Sequence, residues 1–262
     1  MKRTLLVACF ALALTSSLHA DVTIKAIGGG KGLGMSASMP TVTYIKGMKM
    51  RTDTVSGDKT LTTIFDVEQQ KMYLFVSKKK EADVWDMAAF AGEMSKTVTV
   101  DGVTSSITPN GQTKQVAGKT VDGYDVEISV PASVGGSGGM KMNATLTGQV
   151  WIAKGAPGSA DYSGFYKAAA EKGFIFTDPR AAKGAPGQVK AMAEMYEEFA
   201  KLGGVPYASE MDIKLSGDGP MAGLMARMGG MSMTSTTESV DTAAIPDHMF
   251  MPPAGYKLNQ KK

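Results

Sequence analysis

From residue 41 to residue 86 the chain is written in short runs of alternating apolar and polar residues, and turn residues punctuate the runs every few positions. A period of two places alternate side chains on opposite faces of a strand, so such text folds as half-buried β-structure. The runs are 41–46, 49–55, 60–66, 71–76 and 81–85. Gly47, Ser56-Gly57-Asp58 and Glu68-Gln69-Gln70 join them, and connections this short predict an antiparallel meander. An earlier alternation at Val22, Ile24 and Ala26 is broken by Gly28, Gly29, Gly30, Lys31, Gly32, Leu33 and Gly34, which we read as a flexible turn. A phosphate-binding loop would need Ser or Thr after the lysine and a helix beyond it, whereas Gly32 follows Lys31 and the text then returns to strand.

Asp86 stands as an N-cap ahead of Met87, Phe90, Ala91 and Met94, which share one face of a short helix. Strand text resumes at Val98, runs through Tyr124 to Val130 and, after a hinge at Gly135 to Gly139, from Met140 to Ala153. Two amphipathic stripes follow. Tyr162, Phe165, Tyr166 and Ala169 form one, stopped by Gly173; Val189, Met192, Met195, Tyr196, Phe199 and Leu202 form the other, stopped by Gly203-Gly204. Strands return at 208–215 and 231–240, and residues 245–258 close the chain. Amphipathic helices bury their stripes on the largest apolar surface at hand, here the sheet. The fold expected is α+β: a curved antiparallel sheet, an incomplete barrel, with helices covering its concave face.

Lys2 and Arg3, the apolar run Leu5 to Leu14 and the small, polar stretch ending at Ala20 have the order of a secretory signal peptide. The ten-residue run is short for a bilayer span, which takes about 20 residues. We expect residues 1–20 to be removed and 21–262 to form one β-rich domain, periplasmic or secreted, with no transmembrane segment. A lipobox at Leu6-Val7-Ala8-Cys9 competes with this reading, but it would leave apolar residues running on past the cleavage point. Without Cys9 the domain has no thiol, which excludes disulfides, thiolate metal sites and a cysteine nucleophile. Removal of Lys2 and Arg3 leaves basic and acidic residues nearly balanced, and nothing marks a nucleic-acid surface.

Catalytic signals are sparse. His248 is the single histidine after residue 20, lies between Pro246 and Pro252, and reads as a surface loop residue. No Gly-x-Ser-x-Gly elbow accompanies it. Glu197 and Glu198 are adjacent on a helix and read as a solvated face, although a glycosidase-type carboxylate pair assembled by folding stays open at this stage. The reading is a non-enzyme without a cofactor. Methionine is the compositional anomaly, with 20 in the sequence and the densest group at Met221, Met225, Met228, Met231 and Met233. Thioethers hold soft cations, so a copper site is one reading; pliable apolar packing is the other.

Residues 44–53 (Tyr-Ile-Lys-Gly-Met-Lys-Met-Arg-Thr-Asp), Ile64-Phe65-Asp66, Lys71-Met72-Tyr73, Gln112-Thr113-Lys114, Ala117-Gly118, Gly123-Tyr124 and the ending 245–257 occur in an order that resembles a secreted bacterial family known as domain of unknown function 4412. Members often carry a cysteine before the Gly-Tyr pair, where this chain has Thr120-Val121-Asp122. More distantly, the element order is similar to the lipoprotein-carrier fold, whose concave apolar face holds acyl chains. That resemblance implies a periplasmic carrier for a hydrophobic ligand, either a lipid or a lipidated protein. Candidate lining residues are Tyr73, Phe75, Trp85, Phe90, Trp151, Tyr162, Phe165, Met192, Met195, Tyr196 and Phe199. A copper-binding protein using the methionine cluster and an envelope interaction module are the alternatives.

Overall fold

The computed structural model describes residues 21–32, 35–100, 102–134, 140–174, 176, 179, 196–218 and 230–261. They form one open 13-stranded sheet with helices against it. The first half is the meander expected from the sequence: β1 (Val22–Gly32), β2 (Met35–Lys46), β3 (Lys49–Ser56), β4 (Lys59–Asp66), β5 (Lys71–Val76) and β6 (Glu81–Asp86), each antiparallel to the next. The two-residue turns work because Gly47 and Gly57 take φ near +54° and +60°, a left-handed conformation that costs glycine nothing. Then come α1 (Met87–Thr97), β7 (Val98–Val100), β8 (Thr104–Val116), β9 (Lys119–Val134), β10 (Met140–Ala153), α2 (Ser159–Glu171), β11 (Val205–Gly217), β12 (Met231–Asp241) and β13 (Lys257–Lys261). Asp86 caps α1 as expected, its Oδ1 accepting the Ala89 N–H at 2.9 Å.

The strand order is β13-β6-β5-β4-β3-β2-β1-β12-β11-β10-β9, with β7 and β8 both on the outer edge of β9. All pairs are antiparallel except β13 beside β6. The sheet is not closed, yet it curls: β12 and β8 come within 8 Å at Cα although β11, β10 and β9 lie between them in the ladder. Bulges between Lys25 and Ala26 and between Trp151 and Ile152 add local twist to that curl.

One expectation is corrected. The glycine-rich stretch is no turn through residue 32, because β1 continues across Gly28 to Gly32, paired with β12 as far as Lys31 and with β2 through Gly32. Local propensity is overridden by the two neighbouring ladders. The missing side chains have a use there, since a Cβ on Gly30 would meet the Ser232 carbonyl oxygen at 3.2 Å. Leu33 and Gly34 lie outside the described residues, as does the hinge at Gly135 to Gly139.

Register shows how the two faces of the meander divide the work. One row across the strands, Val22–Ile45–Met50–Phe65–Met72–Trp85, is buried throughout and packs with Met87 and Phe90 of α1 and Phe165, Tyr166 and Ala169 of α2. The opposite face presents Ile64, Phe75 and Ala82, over which residues 245–256 are laid, with Ile245 and Phe250 buried and Tyr256 edge-on to Phe75 at 5.5 Å. That closing segment is tied down by Lys46 Nζ donating to the Ile245 carbonyl (2.6 Å) and Arg51 donating to the Met249 carbonyl (2.9 Å). His248 is exposed there, in the short 3-10 turn Asp247–Phe250.

Candidate functional site

Two residues beyond the buried row, the helix-covered face of the sheet changes chemistry. In register, the next row is Ile24–Thr43–Thr52–Thr63–Leu74, and the one after it contains Ala26–Thr41–Thr54–Leu61. Valine and isoleucine are the usual occupants of such inward strand positions. Here threonine keeps the branched shape and adds a hydroxyl, and Thr43 Oγ1 lies 3.3 Å from Thr52 Oγ1.

The roof above these rows is aromatic. The three- and four-residue spacing of Tyr162, Phe165, Tyr166 and Ala169 turns them toward the sheet. The helix start is seated by Gly158 at φ +79°, where a Cβ would come 2.7 Å from Val22 Cγ2. Its end is closed by Gly173 at φ +63°, with the Phe174 N–H bonded back to the Ala169 carbonyl at 2.8 Å. A second helical stretch, residues 196–202, brings Tyr196 flat onto Tyr166, with ring centroids 4.9 Å apart and planes inclined by 12°. Phe176 packs edge-on against both rings at 5.3 and 5.4 Å. The Tyr166 hydroxyl has the Met50 sulfur as a neighbour at 3.6 Å.

The stacked pair stands between two cavities. The larger, about 490 Å³, runs along β1 from Ile24 to Gly30 under Tyr162, Tyr166, Tyr196 and Phe199, and reaches Val150, Met211 and Met233. The smaller, about 370 Å³, lies over Met50, Thr52, Thr63 and Leu74. Thr43, Tyr166 and Tyr196 border both. Volumes of roughly 300–1,000 Å³ are usual for small-molecule sites. Every described residue lining either cavity is uncharged. Burial pushes the Tyr162, Tyr166 and Tyr196 hydroxyls above the usual phenol range, so near neutrality all three are neutral hydrogen-bonding groups.

Of the residues expected to line a site, Tyr162, Tyr196 and Phe199 do border the larger cavity. Trp85, Phe90, Trp151 and Phe165 are core residues at 1–6% exposure, and Lys114 Nζ sits over the Trp151 ring at 3.1 Å. Tyr73 and Phe75 lie on the face opposite the helices, beneath residues 245–256, and border neither cavity. Alternation shows that two residues share a face but not which face meets the helices, and Met72 and Leu74 took that side. Met192 and Met195 lie outside the described residues, as do Met221, Met225 and Met228. Met231 and Met233 are on β12, where Met233 faces Met211 across the ladder. The cavity residues missed from the sequence are chiefly Thr41, Thr43, Thr52, Thr54 and Met211. Their signal was present as threonine at the inward phase of the alternation.

Glu197 and Glu198 remain partly exposed, and Lys201 bridges both, at 3.1 and 2.8 Å. These contacts hold the Lys201 ammonium up at about 12. Among the described residues no group of three or more His, Cys, Asp or Glu is placed to hold a metal ion, and no helix is long and apolar enough to cross a membrane.

No protein-family model matches the sequence, and no curated protein matches it. Among solved structures the chain is similar to PNGF-II in two crystal forms. In the C2 form the TM-score is 0.35 at 11% identity, over 92% of this chain and 31% of that one. In the P21 form the TM-score is 0.36 at 9% identity, over 92% and 32%. The chain therefore spans about a third of the length of PNGF-II.

Proposed function

We propose that this protein is a non-enzymatic, exported binding or carrier protein whose hydrophobic ligand lies between the helices and the sheet. The observation that carries the reading is the pair of cavities on either side of the Tyr166–Tyr196 stack. Apolar lining supplies affinity in proportion to the area removed from water, and a few hydroxyls fix orientation. The uncharged lining suits binding rather than acid–base chemistry, which works through groups titrating near the operating pH. Resemblance to a carrier fold supports the same reading by analogy alone.

The test is native mass spectrometry of protein purified from the periplasm of an expressing cell, followed by solvent extraction. The expected result is a population carrying extra mass, released on denaturation and recovered as lipid. Protein that flies only at its polypeptide mass, and that fails to enhance the fluorescence of the neutral probe N-phenylnaphthylamine, would overturn the proposal.

A further inference from the structure

The two cavities are floored by the same register row, in which Thr43 borders both and Thr52 and Thr63 continue beneath the smaller one. A ligand following that row passes directly under the stacked tyrosines. Along β1 the larger cavity covers Ile24 to Gly30, about 20 Å of strand at the usual rise per residue. The larger cavity is therefore elongated, and the smaller one adjoins it at Thr43, Tyr166 and Tyr196. The roof they share is aromatic, while the floor offers hydroxyl groups where the two adjoin.

We propose, resting on the binding reading above, that the ligand is an uncharged acyl ester, whose hydrocarbon chain lies along β1 in the larger cavity and whose ester group is received by the hydroxyls of Thr43, Thr52 and Thr63. Two features argue for this class over a free fatty acid. A carboxylate taken into a space lined by uncharged residues keeps its desolvation penalty with no cation to offset it. An ester carbonyl brings only acceptors, and a threonine hydroxyl, which rotates freely, donates to them while accepting from its neighbour across the strand pair. Purely hydrocarbon ligands would leave those hydroxyls without their water, which explains poorly why the row is not valine.

The experiment is displacement of N-phenylnaphthylamine at pH 8 by mono-olein and by oleate, each below its aggregation threshold, from the wild type and from the variant Thr43→Val/Thr52→Val/Thr63→Val. The expected result is that mono-olein binds at least about tenfold more tightly than oleate, and that the triple variant loses about tenfold toward mono-olein, so that its preference for the ester over oleate disappears. Thr52→Ser, which keeps the hydroxyl, is expected to retain the ester preference, and the wild-type comparison stands even if the triple variant folds poorly. Probe binding with oleate equal to or tighter than mono-olein, or an ester preference that survives the triple change, would overturn this inference and leave the binding reading standing. Failure of the wild type to bind the probe or either lipid would remove both.

Discussion

Gly148→Ala is expected to lower stability by about 3 kcal/mol or more, seen as a fall of roughly ten degrees in melting temperature for a domain of this size. Gly148 lies in the middle of β10, paired with Met211 of β11 on one side and Val126 of β9 on the other. A Cβ built there falls on the Glu210 carbonyl oxygen and within 2.8 Å of Met211 Cα. Both obstacles are backbone in a neighbouring strand, so no rotamer change relieves the contact and the ladder itself must part. The surrounding cluster of Val126, Leu146, Val150 and Met211 is buried, and the strain would spread into it. Gly28→Ala is the control. A Cβ built there has its nearest non-local neighbour, the Met39 carbonyl oxygen, at 3.7 Å, in ordinary contact range, so the change in melting temperature is expected to be small. Equal behaviour of the two variants in thermal or urea unfolding would show that the close approach of β10 and β11 is not a feature of the folded protein.

The second large effect concerns the seating of α2. Phe165→Ala is expected to cost about 3–5 kcal/mol, because a fully buried aromatic side chain is removed and its neighbours cannot collapse freely into the space. Phe165 is 1% exposed and meets Tyr166 edge-on at 5.3 Å and Phe176 at 5.5 Å. Losing it should loosen the tyrosine that roofs both cavities. Urea unfolding gives the stability change, and the near-ultraviolet circular dichroism of the tyrosines gives the loss of ordered packing. A variant with an unchanged urea midpoint would place α2 off the sheet and contradict the core described above.

The meander was legible because its signals are local. Strict alternation through Ile45, Met50, Phe65 and Met72, with Gly47 and Gly57 at the turns, leaves little choice of register. The helix stripes were legible for the same reason, period agreeing with the Asp86 cap on α1 and with the Gly173 stop on α2. What failed depends on distant partners. Gly28 to Gly32 read as a turn by composition, and only pairing with β2, and with β12 as far as Lys31, makes them strand. Alternation leaves the face of Tyr73 and Phe75 open, because nothing local says that residues some 170 positions later cover them; Tyr256 is what claims Phe75. The candidate site was legible in its roof, through Tyr162, Tyr196 and Phe199, and illegible in its floor. Threonine in a strand is ordinary by propensity, and only the register that aligns Thr43, Thr52 and Thr63 under the stacked tyrosines turns three unremarkable residues into one surface.

A hydrophobic ligand held between the helices and the sheet, as proposed above, must enter by parting them. Amide hydrogen exchange followed by mass spectrometry tests it most directly, with peptides from α2 and from residues 196–202 compared with peptides from β3, β4 and β5, before and after addition of mono-olein. Elements that must part to admit a ligand belong to the less stable end of a structure, and occupation tightens them. Faster exchange is expected in the two helical regions than in the strands, with marked slowing of the helical peptides when lipid is added. Equal protection in the two regions, unchanged by lipid, would contradict it.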